Sequence, residues 1–169
     1  MKTALQADIV ETFKKLNEIY SKFSEIDLNT IPYQGSWTAG QTTQHIILSC
    51  SGYSELFAGK KEKTIRKPNL YIKDLEALFL NFNIKMDAPE FLRPEIIDYN
   101  KNIQTIALLK IESDLLNSSE IHDLTLTCLD FQVPGFEKFT ILEWISFALI
   151  HSQRHTHQLN TIYKMLTKI

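Results

Sequence analysis

The chain has 169 residues, of which 44% are hydrophobic and 22% charged, as is typical of one folded domain with its own core. A formal net charge of −2 gives no electrostatic basis for binding nucleic acid or an anionic membrane. No run approaches the roughly 18 apolar residues of a membrane span, and polar residues come too early for a signal peptide. We therefore expect a single domain over residues 1–169, soluble and cytoplasmic.

Glycine and proline number only five each. That is few for an architecture with many tight turns, and it favours helices. The two cysteines, Cys50 and Cys128, belong to no CxxC motif. We expect both to be ordinary buried thiols in a reducing compartment.

A first amphipathic helix is predicted over residues 3–23, because apolar residues recur there at spacings of three and four. Residues 27–36 contain proline and glycine and are interpreted as a loop. Trp37 follows this loop directly. Its simplest role is a hydrophobic staple that fixes how the chain enters the next helix.

A second helix is predicted to begin at Thr38, which forms a capping box with Gln41, and to end near residue 57. His45 falls within this helix. It shares a face with Ser49 and Gly52, and these small residues leave room beside the imidazole. Large side chains on the same face would leave no such room.

The region between residues 60 and 98 differs in character from the helices around it. A basic run at 60–67 is interpreted as a solvated loop, and apolar residues from Leu75 to Phe82 predict a short helix. Two prolines bracket a second loop further on. Because the region is too short for a core of its own, we interpret it as a helical excursion between the second and third long helices.

A third long helix is predicted from Tyr99 to about Leu116, where a polar run ends it. Residues 124–129 alternate as a strand would. A lone strand has no pairing partner, however, so an extended connection is predicted there.

The last helix is predicted to begin at a second capping box, Thr140 with Glu143, and to continue to Thr167. The fold class predicted from these elements is all-α. We expect a four-helix bundle with an extra short helical excursion between helices two and three. No βαβ pattern and no glycine-rich phosphate loop is present, which disfavours nucleotide-binding α/β folds.

Three of the five histidines lie within seven residues of the last helix. His151 and His155 are one turn apart and project from the same face, in line with core positions. His157 points away, about 200° around the helix from His155. A divalent cation shared by the first two imidazoles would satisfy an acceptor nitrogen on each. Hydrogen bonds without metal are the alternative.

A third ligand has to come from another segment. His45 can complete the site if the second and last helices are neighbours. His122 competes for this place, but it lies in a loop-like segment beside Asp123 and is interpreted as solvated. Three imidazoles with an open position are typical of a catalytic zinc site, since structural zinc closes its fourth position. We therefore predict a metal site at His45, His151 and His155.

Other site chemistries fit the sequence less well. A di-iron bundle requires Glu-x-x-His motifs, and the chain contains none. Ser152 occupies the position of the glutamate in the HExxH protease motif. The serines and cysteines show no nucleophile motif and are interpreted as caps and small packing residues.

Residues 37–45 read WTAGQTTQH and residues 151–158 read HSQRHTHQ. The first resembles W-[ST]-x-x-[EQ]-x-x-x-H at the start of the second helix of the DinB-like superfamily, which includes the YfiT-type proteins. The second is similar to the H-x-x-x-H-x-x-Q motif late in the last helix of that superfamily. The resemblance implies a DinB-like four-helix bundle, often a homodimer, in which His45, His151 and His155 bind zinc, nickel or another divalent ion.

The chain departs from that family pattern at two places. His157 stands where a small residue is common, and the excursion at residues 60–98 is long. We expect the long excursion to change the shape of the entrance to the site, and so to change which substrate the site accepts.

Characterised relatives of the superfamily include transferases and isomerases that use a low-molecular-weight thiol, namely bacillithiol, mycothiol or glutathione. By this resemblance we expect a metal-dependent thiol transferase, or a related hydrolase-like enzyme, that acts on a small molecule. The metal would lower the pKa of a ligand at its open position. We expect no nucleic-acid or membrane partner. The alternative function is a non-catalytic dimeric bundle that binds metal or a small ligand.

Overall fold

Four long helices surround the core of the protein. The structure is a computed structural model and describes residues 2–168. The long helices are α1 (Lys2–Ser21), α3 (Ala39–Cys50), α6 (Lys101–Ile121) and α7 (Ile141–Thr167). The shorter elements are α2 (Glu25–Asn29), α4 (Tyr53–Ala58), β1 (Lys61–Lys63), α5 (Ile72–Phe79), a 3-10 turn (Glu90–Leu92) and β2 (Leu126–Cys128).

The long helices pack as a four-helix bundle. α7 lies between α1 and α3, and α6 lies between the same two helices on the opposite side. The apolar stripe of α1 is fully buried at Ile9, Phe13 and Leu16. The predicted all-α bundle with a helical excursion is confirmed. The second and fourth long helices are neighbours, as a shared histidine site requires.

Capping boxes begin both helices that carry histidines of the predicted site. The Thr38 hydroxyl accepts from the Gln41 amide at 3.1 Å, and the Gln41 side chain accepts from the Thr38 amide at 3.0 Å. Thr140 and Glu143 make the same pair of bonds at 3.2 and 2.9 Å. Both predicted helix starts are confirmed. Each helix begins there because the capping box satisfies backbone amides that have no partner within the helix.

Two predictions in the first third of the chain were wrong. The second helix does not continue to residue 57, because Gly52 adopts a left-handed conformation with φ of 85° and separates α3 from α4. The predicted loop at residues 27–36 begins inside α2. A third capping box, between Ser24 and Asp27, starts this short helix.

Two further predictions failed in the second half of the chain. The third long helix continues to Ile121, past its predicted end at Leu116. The polar run does not end the helix there, because the Ser119 hydroxyl donates a hydrogen bond to the Leu116 carbonyl within the same helix. The predicted extended connection contains a strand, β2, because β1 supplies the antiparallel partner that the sequence did not reveal.

The basic run at residues 60–67 is only partly solvated. Lys63 and Lys67 are exposed, as predicted. Arg66 instead donates two hydrogen bonds to the Glu143 carboxylate, at 2.8 and 2.7 Å. Its guanidinium lies 4.5 Å from the centre of the Tyr71 ring. The Glu143 side chain is completely buried, so this ion pair joins the excursion to the first turn of α7.

Cys50 and Cys128 are both buried free thiols, as the sequence predicted. Burial raises the pKa of Cys50 to about 12 and the pKa of Cys128 to about 11. Over residues 2–168, none of the helices combines the length and the hydropathy that crossing a membrane requires.

Replacing Arg66 with alanine leaves the buried Glu143 carboxylate without its charged partner. We expect Arg66→Ala to lower the free energy of unfolding by about 2 to 4 kcal/mol. Urea denaturation at neutral pH measures this difference. Lys67→Ala is the matched control and should change stability by less than about 0.5 kcal/mol. Equal losses in the two variants would contradict a structural role for the ion pair.

Candidate metal centre

The structure brings together His45 from α3 with His151 and His155 from α7. All three are buried, with exposed fractions of 4%, 7% and 7%. The Nε2 atom of His151 lies 3.2 Å from Nε2 of His45 and 3.0 Å from Nε2 of His155. Within residues 2–168, this triad is the one group of three or more histidine, cysteine or acidic residues placed to share a metal ion.

Each imidazole bonds outward through its other nitrogen. Nδ1 of His45 lies 2.8 Å from the Leu92 carbonyl oxygen, and Nδ1 of His155 lies 2.8 Å from Oε1 of Gln158. Since a carbonyl oxygen only accepts, both Nδ1 atoms carry the proton. The Nε2 atoms of His45 and His155 therefore turn unprotonated lone pairs toward the centre of the triad. Nδ1 of His151 lies 3.1 Å from the Ser49 hydroxyl.

This arrangement fits a divalent cation. Two nitrogen ligands of a tetrahedral zinc ion, each about 2.05 Å from the metal, lie about 3.3 Å apart. The two Nε2 separations, 3.2 and 3.0 Å, are close to that value. Imidazole nitrogen suits zinc, copper, iron and nickel. Outward bonding through Nδ1 is also typical of metal-binding histidines, since it fixes the tautomer and the direction of the ring.

Burial keeps the three imidazoles neutral. It lowers the pKa of His45, lowers that of His151 well below its usual range, and brings the pKa of His155 to about 3. The guanidinium of Arg154 lowers the pKa of His151 and His155 further. The triad is therefore in the form that binds a cation at neutral pH.

Aromatic rings surround the triad. The Trp37 ring lies 5.1 Å from that of His45, and the Phe147 ring lies 5.7 Å from that of His151 at an interplanar angle of 29°. Phe79 meets His151 edge-on at 6.0 Å. The sequence suggested a staple for Trp37, and its contact with the imidazole was not predicted. Apolar surroundings of this kind strengthen electrostatic interactions at the site.

The excursion is tied to the site at two points. Leu92, in the 3-10 turn, supplies the carbonyl that orients His45. Arg154, which lies between the two histidines of α7, donates to the carbonyl oxygens of Phe79, Asn81 and Ile84. Gln158 could have been found from its place in the second motif. A backbone acceptor such as Leu92 leaves no signal in the sequence.

The two remaining histidines lie outside the triad. His157 is exposed and stacks on the Phe82 ring, with centroids 3.8 Å apart and an angle of 9°. Its predicted exclusion by direction is correct. His122 caps the C-terminus of α6 and is half-buried against the Phe57 ring, so the prediction that it is solvated was only partly right.

A sequence model of the DinB superfamily matches residues 8–159. The chain belongs to the DinB superfamily. No curated protein and no solved structure matches it. The matched range contains all three triad histidines and extends from α1 to the second half of α7.

The triad of this DinB-superfamily protein predicts how stability depends on pH in the absence of metal. The folded histidines stay neutral, whereas unfolded histidines gain a proton below pH of about 6.5, so the unfolded state binds more protons there. The free energy of unfolding should be level well above that pH. Below it, His151 and His155, whose folded pKa values burial lowers furthest, should each lower the free energy by up to about 1.4 kcal/mol per pH unit.

Denaturation of chelator-treated protein between pH 7.5 and 5.5 measures this dependence. His155→Gln removes one titrating group and should reduce the acid-induced loss. His157→Gln removes an exposed histidine of the same helix and should leave the loss unchanged. Identical pH profiles for the wild type and His155→Gln would be inconsistent with a neutral buried triad.

Proposed function

We propose that the protein is a divalent-metal-dependent enzyme of the thiol-transferase type, with the ion held by Nε2 of His45, His151 and His155. The observation that carries the proposal is the convergence of these nitrogens, two of which have their protons fixed on the outer side of the ring. Zinc and nickel suit the all-imidazole donor set. The reaction class comes from the resemblance to the superfamily.

The charge around the triad supports a thiolate as the further ligand. The three imidazoles are neutral, and the atoms that face their Nδ1 nitrogens belong to a backbone carbonyl, a hydroxyl and an amide. Arg154 adds a positive charge nearby. The two charges of a bound ion would thus lack a compensating anion from these residues. An anionic ligand from outside is favoured, and a thiolate is one.

The chain's own residues would orient the ligands and exclude water. The Leu92 carbonyl and the Gln158 amide oxygen hold protons on Nδ1 of His45 and His155, which keeps their Nε2 lone pairs available. The rings of Trp37 and Phe147 shield the imidazoles from solvent. A divalent ion, when bound, supplies Lewis acidity that lowers the pKa of a thiol at an open coordination position.

A second candidate function is metal binding without turnover. It is favoured by the burial of the triad, which leaves at most 7% of each histidine exposed. Among the described residues, moreover, the hydrogen bonds of the triad reach no carboxylate that could act as a general base. Under this candidate the ion stabilises the contact between α3 and α7, since metal binding is linked to folding.

Metal content tests the site that both candidates share. Protein purified without a polyhistidine tag should contain about one divalent ion per chain by elemental analysis. His151→Ala should lose the ion, because only two of the nitrogens remain. His122→Ala and His157→Ala are matched controls and should retain it. Full metal content in His151→Ala would overturn the assignment of the ligands.

Thiol binding separates the two candidates. Cobalt-loaded protein should develop sulfur-to-cobalt charge-transfer absorption when a low-molecular-weight thiol is added, and should transfer that thiol to a chromogenic aryl halide. His45→Ala should lose both properties. If the protein retains its metal but shows neither absorption nor turnover with bacillithiol, mycothiol or glutathione, the non-catalytic candidate is supported.

A further inference from the structure

Ser49 links the two helices that carry the triad. It lies on α3, one turn after His45, yet its hydroxyl contacts a histidine of α7. The Oγ atom is 3.1 Å from Nδ1 of His151 and 2.8 Å from the Ile46 carbonyl oxygen. Ser49 belongs to neither histidine motif, and the sequence indicated only that it leaves room beside His45.

The single hydroxyl proton decides which nitrogen of His151 is protonated. The Ile46 carbonyl can only accept, and a serine within a helix commonly donates to a carbonyl three or four residues earlier. When the hydroxyl donates to Ile46, its oxygen can only accept from His151. The proton of that imidazole then lies on Nδ1, and Nε2 turns a lone pair toward His45 and His155.

In the opposite orientation, the tautomer of His151 would have to change before a cation could bind. If the hydroxyl donated to Nδ1 of His151, the ring proton would lie on Nε2. That N–H would face Nε2 of His45 at 3.2 Å and Nε2 of His155 at 3.0 Å. It could bond to one of them, but that proton would have to move to Nδ1 before a cation could bind, since a protonated nitrogen does not bind a metal.

We propose that Ser49 is a positioning residue that fixes the tautomer of His151 and so keeps the third nitrogen of the triad open. The inference rests on the proposed metal site, because the open nitrogen matters only if a cation binds there. The direction of the Ser49 hydroxyl is set within α3. Its acceptor, the Ile46 carbonyl, belongs to the same helix as Ser49, so this bond does not depend on the contact with α7.

The tautomer can be measured without metal. Long-range proton–nitrogen correlation spectra of chelator-treated protein should show the His151 proton on Nδ1 in the wild type. In Ser49→Ala the proton should shift partly or wholly to Nε2, because Nδ1 has lost its acceptor. Zinc affinity should then fall by about 10- to 100-fold, as is typical when a residue that orients a ligand is removed. Alanine favours helix, so α3 should be preserved.

Ser152→Ala is the matched control. Ser152 is a fully buried serine next to His151, and its hydroxyl has no hydrogen-bond partner among the described residues. Its removal should leave the tautomer and the zinc affinity unchanged. Ser49→Thr and Ser49→Val form a second comparison that differs by one hydroxyl. Threonine should keep the wild-type tautomer, and valine should behave as alanine does.

The outcomes separate this inference from the proposed function. Protonation on Nδ1 and wild-type zinc affinity in Ser49→Ala, or in Ser49→Val if the alanine variant does not fold, would overturn the role of Ser49. A tautomer shift together with weaker zinc binding supports it. If the wild type bound no zinc but the shift still occurred, Ser49 would keep its positioning role and the proposed function would fail.

Discussion

Convergence of three buried imidazole nitrogens is the constraint on which the structure of the site depends. The Nε2 atoms of the triad lie 3.0 and 3.2 Å apart along its two short edges, in a buried place where protonation is costly. Packing of α3 on α7 holds the imidazoles together nonetheless. A cation bound by these nitrogens would contribute its binding energy to the stability of the helix contact.

The outward bonds of the triad come from three different parts of the chain. Ser49 belongs to α3, Gln158 to α7, and Leu92 to the excursion at residues 60–98. The two helices alone would therefore leave Nδ1 of His45 without its hydrogen-bond acceptor. Such an outward bond fixes the direction of the imidazole that metal ligation needs. The geometry of the triad thus depends on a segment that lies outside the bundle, even though the three histidines themselves all belong to it.

Features with local causes were predictable from the sequence, and features with distant partners were not. Capping boxes at Thr38 and Thr140 placed the helix starts, and helical spacing placed His151 and His155 on one face. The pairing of β1 with β2 joins segments more than 60 residues apart, and neither is a convincing strand alone. The contact between the Leu92 carbonyl and His45 could not be predicted for a different reason. Every residue carries a carbonyl, and only the fold decides which one meets an imidazole.

Arg66 shows how a distant partner changes the structural role of a residue in a basic run. Within a basic run its side chain is expected to be solvated, but the buried Glu143 carboxylate accepts two bonds from it in the first turn of α7. Further along the same helix, Arg154 accounts for three more bonds to the excursion. His151 lies between these two anchors and His155 directly follows the second. Residues 60–98 therefore brace the helix that supplies two of the three nitrogens. The long excursion is therefore part of what positions the three histidines.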